Sequence, residues 1–354
     1  MPTPTWPGLL TALLAGQDLS RATVGWAMGE IMAGEASAAQ VAGFAIALRA
    51  KGETVGEIDA LVDVMLGNAT PVRTPGPVVD VVGTGGDRAH TVNISTMAAL
   101  IVAASGIRVG KHGNRAASSA CGSADVLEAL GVAIDLSAAG VERCIAEAGI
   151  GFFFAPVFHP GMRHAAMARR ELGVATVFNF LGPLTNPGRP VAAAVGCADA
   201  RMAPLLAGVL ARRDVRAIVF RGDDGLDELT TTTTSSVWLA ANGAVVADTL
   251  DPTVFGMARA SAEELRGADA ETNANAVRQL ISGDKGPVRD AVVLNAAAAI
   301  VAEGGLPSAS PSAEESLNAR FARAIERAGA AIDDGSAQLT LDRWVQVSQA
   351  AKTA

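Results

Sequence analysis

The stretch that most restricts the architecture runs from Val78 to Asp125, VVDVVGTGGDRAHTVNISTMAALIVAASGIRVGKHGNRAASSACGSAD. A strand-like run, Val78 to Val82, empties into Gly83-Thr84-Gly85-Gly86-Asp87, and a helix is expected from about Asn93-Ile94-Ser95-Thr96. A second apolar run, Ile107 to Val109, empties into Lys111-His112-Gly113-Asn114-Arg115, with Ser118 and Ser119 leading to a helix from about Ser123. Two strand-loop-helix units in succession, with small residues at both strand ends, predict a site for a ligand carrying more than one phosphate.

Upstream, residues 1 to about 70 read as wholly helical. Ser37-x-x-Gln40 and Thr54-x-x-Glu57 match helix-start capping boxes. Apolar residues follow at helical spacing: Val41, Phe44, Ala45 and Leu48 after the first, Ile58, Leu61, Val62, Met65 and Leu66 after the second. The segment from Gly67 to Pro77 carries Pro71, Pro75, Gly76 and Pro77 and is the expected hinge. Beyond it, Val78–Val82, Ile107–Val109, Ala133–Asp135, Phe152–Phe154, Val191–Gly196 and Val215–Phe220 are expected strands, separated by helix-length stretches. That alternation predicts an α/β fold: a small all-helical N-terminal domain plus a larger α/β domain with a mainly parallel central sheet. The expected boundaries are 1–70, completed by part of 160–190, and 71–354. Arg163 to Leu172 reads as a helix, Thr230 to Ser236 as an extended strand, and Ala291 to Ala302 as a buried helix within a largely helical region from Thr253 on.

Charge and apolarity remove whole classes of function. A formal net charge of -8 argues against nucleic acid or an anionic membrane as partner. The longest uncharged runs, Thr91–Ile107 and Leu229–Ala247, are broken by Asn, Ser, Thr and Gly and do not suit a bilayer span. The N-terminal MPTPTWPGLL lacks the basic start of a secretion signal, so a cytoplasmic protein is expected. Cys121, Cys144 and Cys197, widely spaced and without a CxxC, fit a reducing compartment and no structural zinc site; Cys121 reads as a packing residue.

Taken alone, GTGGD after a strand is compatible with phosphate binding and with a plain turn. It is not GxGxxG, and GxxxxGK[ST] is missing from the sequence, which disfavours the dinucleotide and P-loop readings. Asn93 or Ser95 could cap a helix, or the same helix start could hold a phosphate with the Ser95 hydroxyl facing a metal. Lys111 and Arg115 could neutralise phosphates while Asn114 orients a polar group. His112 reads either as a packed imidazole or as a substrate contact. Asp223-Asp224-Gly225-Leu226-Asp227-Glu228 reads as a solvated acidic turn in isolation, and as magnesium ligands beside a polyphosphate site. Arg163, Arg169 and Arg170 are either surface charges or partners for a substrate carboxylate. His159 and His164 are off metal spacing.

The ordered set GTGGD, NIST, KHGNR, SSACGSADVLEALGV, FAPVFHP, RRELG, FNFLGPLTNP and GLDEL resembles the anthranilate phosphoribosyltransferase family, from the N-terminal helices to beyond Glu228. The resemblance implies the two-domain nucleoside phosphorylase and phosphoribosyltransferase plan. It also implies transfer of the 5-phosphoribosyl group from phosphoribosyl pyrophosphate to the anthranilate amine in tryptophan biosynthesis, and a homodimer formed through the helical domain. The donor would meet Gly83, Gly86, Asp87, Thr91, Asn93, Ile94, Ser95, Thr96, Lys111, His112, Gly113, Asn114, Arg115, Ala116, Ala117, Ser118, Ser119 and Ser123. Anthranilate would meet Gly83, Asn114 and Arg169. Ser95, Asp227 and Glu228 would serve Mg2+, two ions per subunit, and no single acid or base is implied. Arg88, Val92 and the Thr230–Ser236 run depart from the family pattern. A pyrimidine nucleoside phosphorylase-like enzyme and a non-enzymatic nucleic-acid-binding relative of the same fold are the alternatives.

Overall fold

The computed structural model describes residues 3–116, 120–304 and 315–353. Helices α1 (Trp6–Leu14), α2 (Arg21–Ala33), α3 (Ala38–Lys51) and α4 (Val55–Gly67) come first. Both expected capping boxes form, at Ser37 with Gln40 and at Thr54 with Glu57. Glu57 is more than a cap. Its carboxylate also accepts from Leu19 N at 2.8 Å and from Lys51 Nζ at 2.9 Å, so one buried acid closes the entry to α2 and the end of α3. The apolar stripes of these helices meet through Met28, Ile31, Phe44, Leu48, Ile58 and Leu61, all fully buried.

After an irregular stretch the chain continues through β1 (Val79–Gly83), α5 (Ile94–Ala104), β2 (Val109–Gly113), α6 (Ser123–Ala129), α7 (Ala138–Ala148), β3 (Ile150–Phe154), α8 (Ala155–Phe158), α9 (Arg163–Leu172), β4 (Ala192–Gly196), α10 (Met202–Arg212) and β5 (Arg216–Gly222). It closes with β6 (Ser235–Ala241), β7 (Ala244–Leu250), α11 (Ala270–Ile281), α12 (Pro287–Gly304), α13 (Leu317–Asp333) and α14 (Ser336–Lys352). The sheet order is β3-β2-β1-β4-β5-β6-β7, parallel through β5 and antiparallel beyond it.

Side-chain alternation along the central strands divides the interior in two. Ala192, Ala194, Ile218 and Phe220 face α5 and α12, whereas Ala193, Val195, Ala217 and Val219 face α10 and share a core with the helical bundle. Ala296 to Ala299 are fully buried on α12, where short side chains let the helix lie close to β1, β4 and β5. The helix α9 packs on α2 and α3, and Ala165, Ala168, Val177 and Phe178 join the bundle's core.

Three expectations change, and one element is added. Ala133–Asp135 is a connection between α6 and α7, buried at Ala133 and Ile134 and exposed at Asp135, with the Ala133 N–H donating to Ser348 Oγ at 3.0 Å. The second strand runs on to Gly113, so Lys111 and His112 stand on a strand and not in a loop. Thr230–Thr234 follow an irregular, bent path and the strand starts at Ser235. The β6–β7 hairpin was not foreseen, although Asn242 (φ 51°) and Gly243 (φ 75°) form the two-residue left-handed turn that an Asn-Gly pair favours.

Candidate active site

From β1 the chain passes to β2 and β3 on one side, then returns to β4 on the other. The strand order reverses between β1 and β4, and the carboxyl ends of strands at such a reversal are where open α/β sheets bind ligands. Gly83 and Gly196 end these two strands in register. Asp227 lies over both: a Cβ at Gly83 would run into its carboxylate, and one at Gly196 into its backbone carbonyl. Its Oδ2 accepts from Gly85 N at 2.6 Å. In the loop that follows, Gly85 (φ 68°), Gly86 (φ 89°), Arg88 (φ 59°) and His90 (φ 55°) are left-handed. Within it Ala89 N donates to Asp87 Oδ1 at 3.2 Å.

Glu228 caps the next element. Asn93, at the N-cap of α5, makes no side-chain bond to the helix; Glu228 Oε1 accepts from Ser95 N at 3.2 Å instead, placing a carboxylate on the positive end of the helix dipole. Lys111 is buried beneath, donating from Nζ to Val81 O at 2.6 Å and to Ser95 Oγ at 3.4 Å. Thr96 is buried, its hydroxyl without a partner among the described residues, and the Ile94 side chain turns into the core.

The electrostatics of this group are unusual. Burial, with the charge of Asp87 beside it, pushes the Asp227 carboxyl up to about 7. Burial and then Asp227 hold Glu228 well above the ordinary carboxylate range, and Lys111 only partly opposes this. Burial lowers Lys111 against the pull of Asp80, Glu228 and Asp227. Two adjacent acids that resist ionising together suit a divalent cation, which would favour both charged forms. No three His, Cys, Asp or Glu side chains form a ready-made metal site among the described residues. The donor set therefore fits a hard cation such as Mg2+ whose remaining ligands are phosphate oxygens and water.

The second motif is held by Asp125, which accepts from Ala116 N at 3.1 Å, Gly122 N at 2.8 Å and Arg115 at 2.8 Å. Arg115, expected among phosphates, is exposed, pairs also with Glu128 and lies over the Phe154 ring at 5.7 Å. Asn114 is exposed, with Oδ1 accepting from Arg115 N at 2.7 Å. Ser123 opens α6, and Gly113 leaves room beside it. Ala117, Ser118 and Ser119 lie outside the described residues.

His112 is buried. Its Nδ1 lies 2.9 Å from Gly182 O, and its ring is 5.2 Å from that of His159, whose Nε2 lies 2.8 Å from Thr185 O. Burial pushes His112 down to about 3 and lowers His159, so the pair is neutral. Arg169 is half-buried on α9 and its guanidinium makes no hydrogen bond or ion pair among the described residues, while Arg163 and Arg170 are exposed. Cys121 is raised to about 11 by burial, the state of a packed thiol.

The acidic run splits in two. Asp223 accepts from Thr234 and Ser236, and Asp224 from Thr230 and Thr232, at the surface. Only Asp227 and Glu228 turn inward.

Sequence reasoning missed the layer beneath. Asp80, fully buried on β1, accepts from His112 N at 3.1 Å and from Asn186 Nδ2 at 2.8 Å. Asn186 also donates to Gly110 O at 2.7 Å, tying the GPLTNP loop to β2. An acid inside VVDVV was the available signal for Asp80.

Comparison with known proteins bears on this geometry. Residues 7–69 match the helical bundle domain, and residues 75–338 the a/b domain, of a glycosyl transferase family. The anthranilate phosphoribosyltransferase of Acidothermus cellulolyticus is 61% identical over 350 residues, 99% of this chain and 97% of that one. The chain belongs to the anthranilate phosphoribosyltransferase family. Among solved structures, the family member from Thermus thermophilus is 40% identical with a TM-score of 0.88, covering 96% of this chain and 99% of that one. The anthranilate phosphoribosyltransferase of Saccharomyces cerevisiae, solved with phosphoribosyl pyrophosphate and Mg, is 25% identical with a TM-score of 0.86 over 98% of both chains. Family membership sets aside the nucleoside phosphorylase-like and nucleic-acid-binding alternatives. Among the described residues, no helix is long and apolar enough to cross a membrane.

Proposed function

We propose that this chain transfers the 5-phosphoribosyl group of phosphoribosyl pyrophosphate to the amine of anthranilate, giving N-(5-phosphoribosyl)anthranilate and pyrophosphate in tryptophan biosynthesis. The observation that carries the reading is the buried Asp227-Glu228 pair at the switch point, bonded to the glycine loop at Gly85 N and to the start of α5 at Ser95 N. Ser95, Asp227 and Glu228 would hold Mg2+, two ions per subunit. When bound, the metal supplies positive charge to the departing pyrophosphate.

The chain's own residues bind and orient. The donor meets Gly83 and Gly86 of the glycine loop, joined by Asp87, Thr91, Asn93 to Thr96 and the segment from Lys111 to Ser119 with Ser123. Lys111, fixed beneath Ser95, lies among the two acids and Asp80, whose charges oppose the lowering that burial imposes on it. Gly83, Asn114 and Arg169 receive anthranilate, and the unpartnered guanidinium of Arg169 takes its carboxylate. The C1–O bond to pyrophosphate breaks as the amine lone pair forms the C1–N bond with inversion, and the nitrogen then loses its proton to the leaving pyrophosphate or to water. The amine is already neutral at pH 7, so the neutral His112–His159 pair is not required as its base.

The functional units are 1–70 with part of 160–190, and 71–354, hinged near residues 67–77. Closure there would exclude water from the donor. The assembly is a homodimer through the helical domain, in the cytoplasm.

The test is loss of anthranilate fluorescence on mixing with phosphoribosyl pyrophosphate and magnesium. Magnesium-dependent loss is expected, and no loss would refute the reading. In Arg169→Ala, the KM for anthranilate is expected to rise more than that for the ribosyl donor, by about tenfold or more for a lost charge-assisted pair. The reverse order would remove Arg169 from the acceptor site.

A further inference from the structure

The motif at Asn93 is held in place from an unexpected direction. Asn273, on α11 and only 2% exposed, lies 180 positions along the chain from it. Its Oδ1 accepts from Ala268 N at 2.9 Å, and its Nδ2 donates to Asn93 Oδ1 at 2.8 Å. Asn93 Nδ2 in turn donates to Cys121 O at 3.1 Å.

The orientation of both amides is set by the ends of this relay. A backbone N–H can only donate and a carbonyl can only accept. Ala268 therefore fixes which way Asn273 points, and Cys121 fixes Asn93. All three bonds run in the same sense, an arrangement in which each polarises the next.

A backbone brace lies alongside. Val92 N donates to Leu265 O at 2.9 Å, Gly267 N donates to His90 O at 2.7 Å, and Thr91 pairs with Arg266 in an isolated antiparallel bridge. A Cβ at Gly267 would come within 2.7 Å of Asn273 Oδ1 and of Thr91 O, so the segment has no room for a side chain there. The buried face of α11 is otherwise Ala274, Val277, Leu280 and Ile281. An amide among them is costly unless each of its bonds is made, so an apolar residue would serve packing alone better.

We infer that Asn273 is a positioning residue for the phosphoribosyl donor, acting through Asn93. By fixing the plane of the Asn93 amide it locks the start of α5 to the loop at Cys121, holding the two phosphate-loop motifs at one spacing. It leaves Asn93 one amide hydrogen and one lone pair with which to meet the ligand. The inference rests on the proposed function for the identity of that ligand, and on geometry alone for the coupling of the loops.

The experiment uses the full chain with Asn273→Ala, Asn273→Asp, Asn93→Ala and the Asn93→Ala/Asn273→Ala double variant. Asn273→Asp retains the acceptor for Ala268 and nearly the same volume but has no donor for Asn93. Both Asn273 variants are expected to raise the KM for phosphoribosyl pyrophosphate about tenfold, the scale of one buried hydrogen bond. The kcat and the KM for anthranilate should stay within about twofold, and the double variant should be no worse than Asn93→Ala, as expected of residues in one network. Additive effects, or an unchanged donor KM in Asn273→Asp, would overturn the inference. Amide hydrogen exchange provides a readout that needs no turnover. Faster exchange at residues 92–96 in Asn273→Asp, with α12 unchanged, supports the coupling, and unaltered exchange there contradicts it. Absence of turnover in the unmodified protein would count against the proposed function and leave the exchange result to decide the role of Asn273.

Discussion

Asp227 is held where a carboxylate is poorly solvated, and its consequences can be read one residue at a time. Its carboxyl, pushed to about 7 by burial and then by Asp87, keeps its proton to higher pH folded than unfolded. Between the ordinary carboxylate range and about 7 the native state binds more protons, so stability falls as pH rises through that window and levels off above it. Asp227→Asn removes this term. The variant should unfold at higher temperature than the unmodified protein at pH 8, and the gain should shrink towards pH 4, at most about 1.4 kcal/mol per pH unit. Thermal unfolding across pH without added magnesium checks it. The two strand-end glycines make a second residue-scale prediction. Gly196→Ala drives a methyl into the Asp227 backbone and should cost about 3 kcal/mol or more, the upper range for overpacking. Gly83→Ala meets a side chain that can rotate, so it should cost less stability while breaking the Asp227–Gly85 bond and lowering turnover. Denaturant titration with initial rates separates the two.

Among the elements, the connection from β5 to β6 does most to present the acids. Asp224 accepts from Thr230 Oγ1 at 2.7 Å, from Thr232 Oγ1 and from Leu226 N at 3.1 Å, while Thr230 N donates to Ser235 Oγ at 3.0 Å. The threonine run supplies hydroxyls to a turn instead of forming a strand, and the outer acids orient the inner pair. Asp224→Ala should lower stability by about 1 kcal/mol and weaken magnesium-dependent activity, measured by urea titration and by magnesium dependence of rate. Elements also show which signals the sequence carried. The glycine loop and the start of α5 were legible because positive φ and a helix N-terminus have short-range residue requirements. Lys111 and His112 were misplaced because an apolar run does not mark where a strand stops, and β2 continues through polar residues paired with Phe152 and Phe153 of β3. The Asn242-Gly243 hairpin was legible and overlooked. Asp80 carried a signal, an acid inside an apolar strand, whereas Asn186 and Asn273 were not legible as site residues, since their partners Asp80 and Asn93 lie 106 and 180 positions away along the chain.

At the scale of the whole molecule, charged networks join the helical bundle to α10 and the loop before it. Glu53, its side chain fully buried, pairs with Arg201 at 2.5 Å and with Arg49 at 3.7 Å, and Arg49 also pairs with Asp199. Asp59 pairs with Arg21 at 2.7 Å and with Arg213 at 2.8 Å, and Asp63 joins both arginines. Breaking one member strands buried charge, so Glu53→Ala should lower stability by roughly 3 kcal/mol, the lower end for buried pairs because Arg201 is partly solvated. Urea unfolding of the full chain measures it. These contacts anchor the bundle to the sheet domain, and the connection at residues 68–77 is tethered by Thr70 N donating to Phe158 O at 2.9 Å. The sheet's switch point, the two glycine ends and the acid pair then form one frame. Within it, Asp227 and Glu228 are the residues proposed to serve Mg2+ beside the pyrophosphate. The most direct measurement is turnover of Asp227→Ala/Glu228→Ala at saturating magnesium, monitored by anthranilate fluorescence. A fall of at least about 100-fold is expected, the scale of losing preorganised charge stabilisation, and near-normal turnover by a folded double variant would contradict the account.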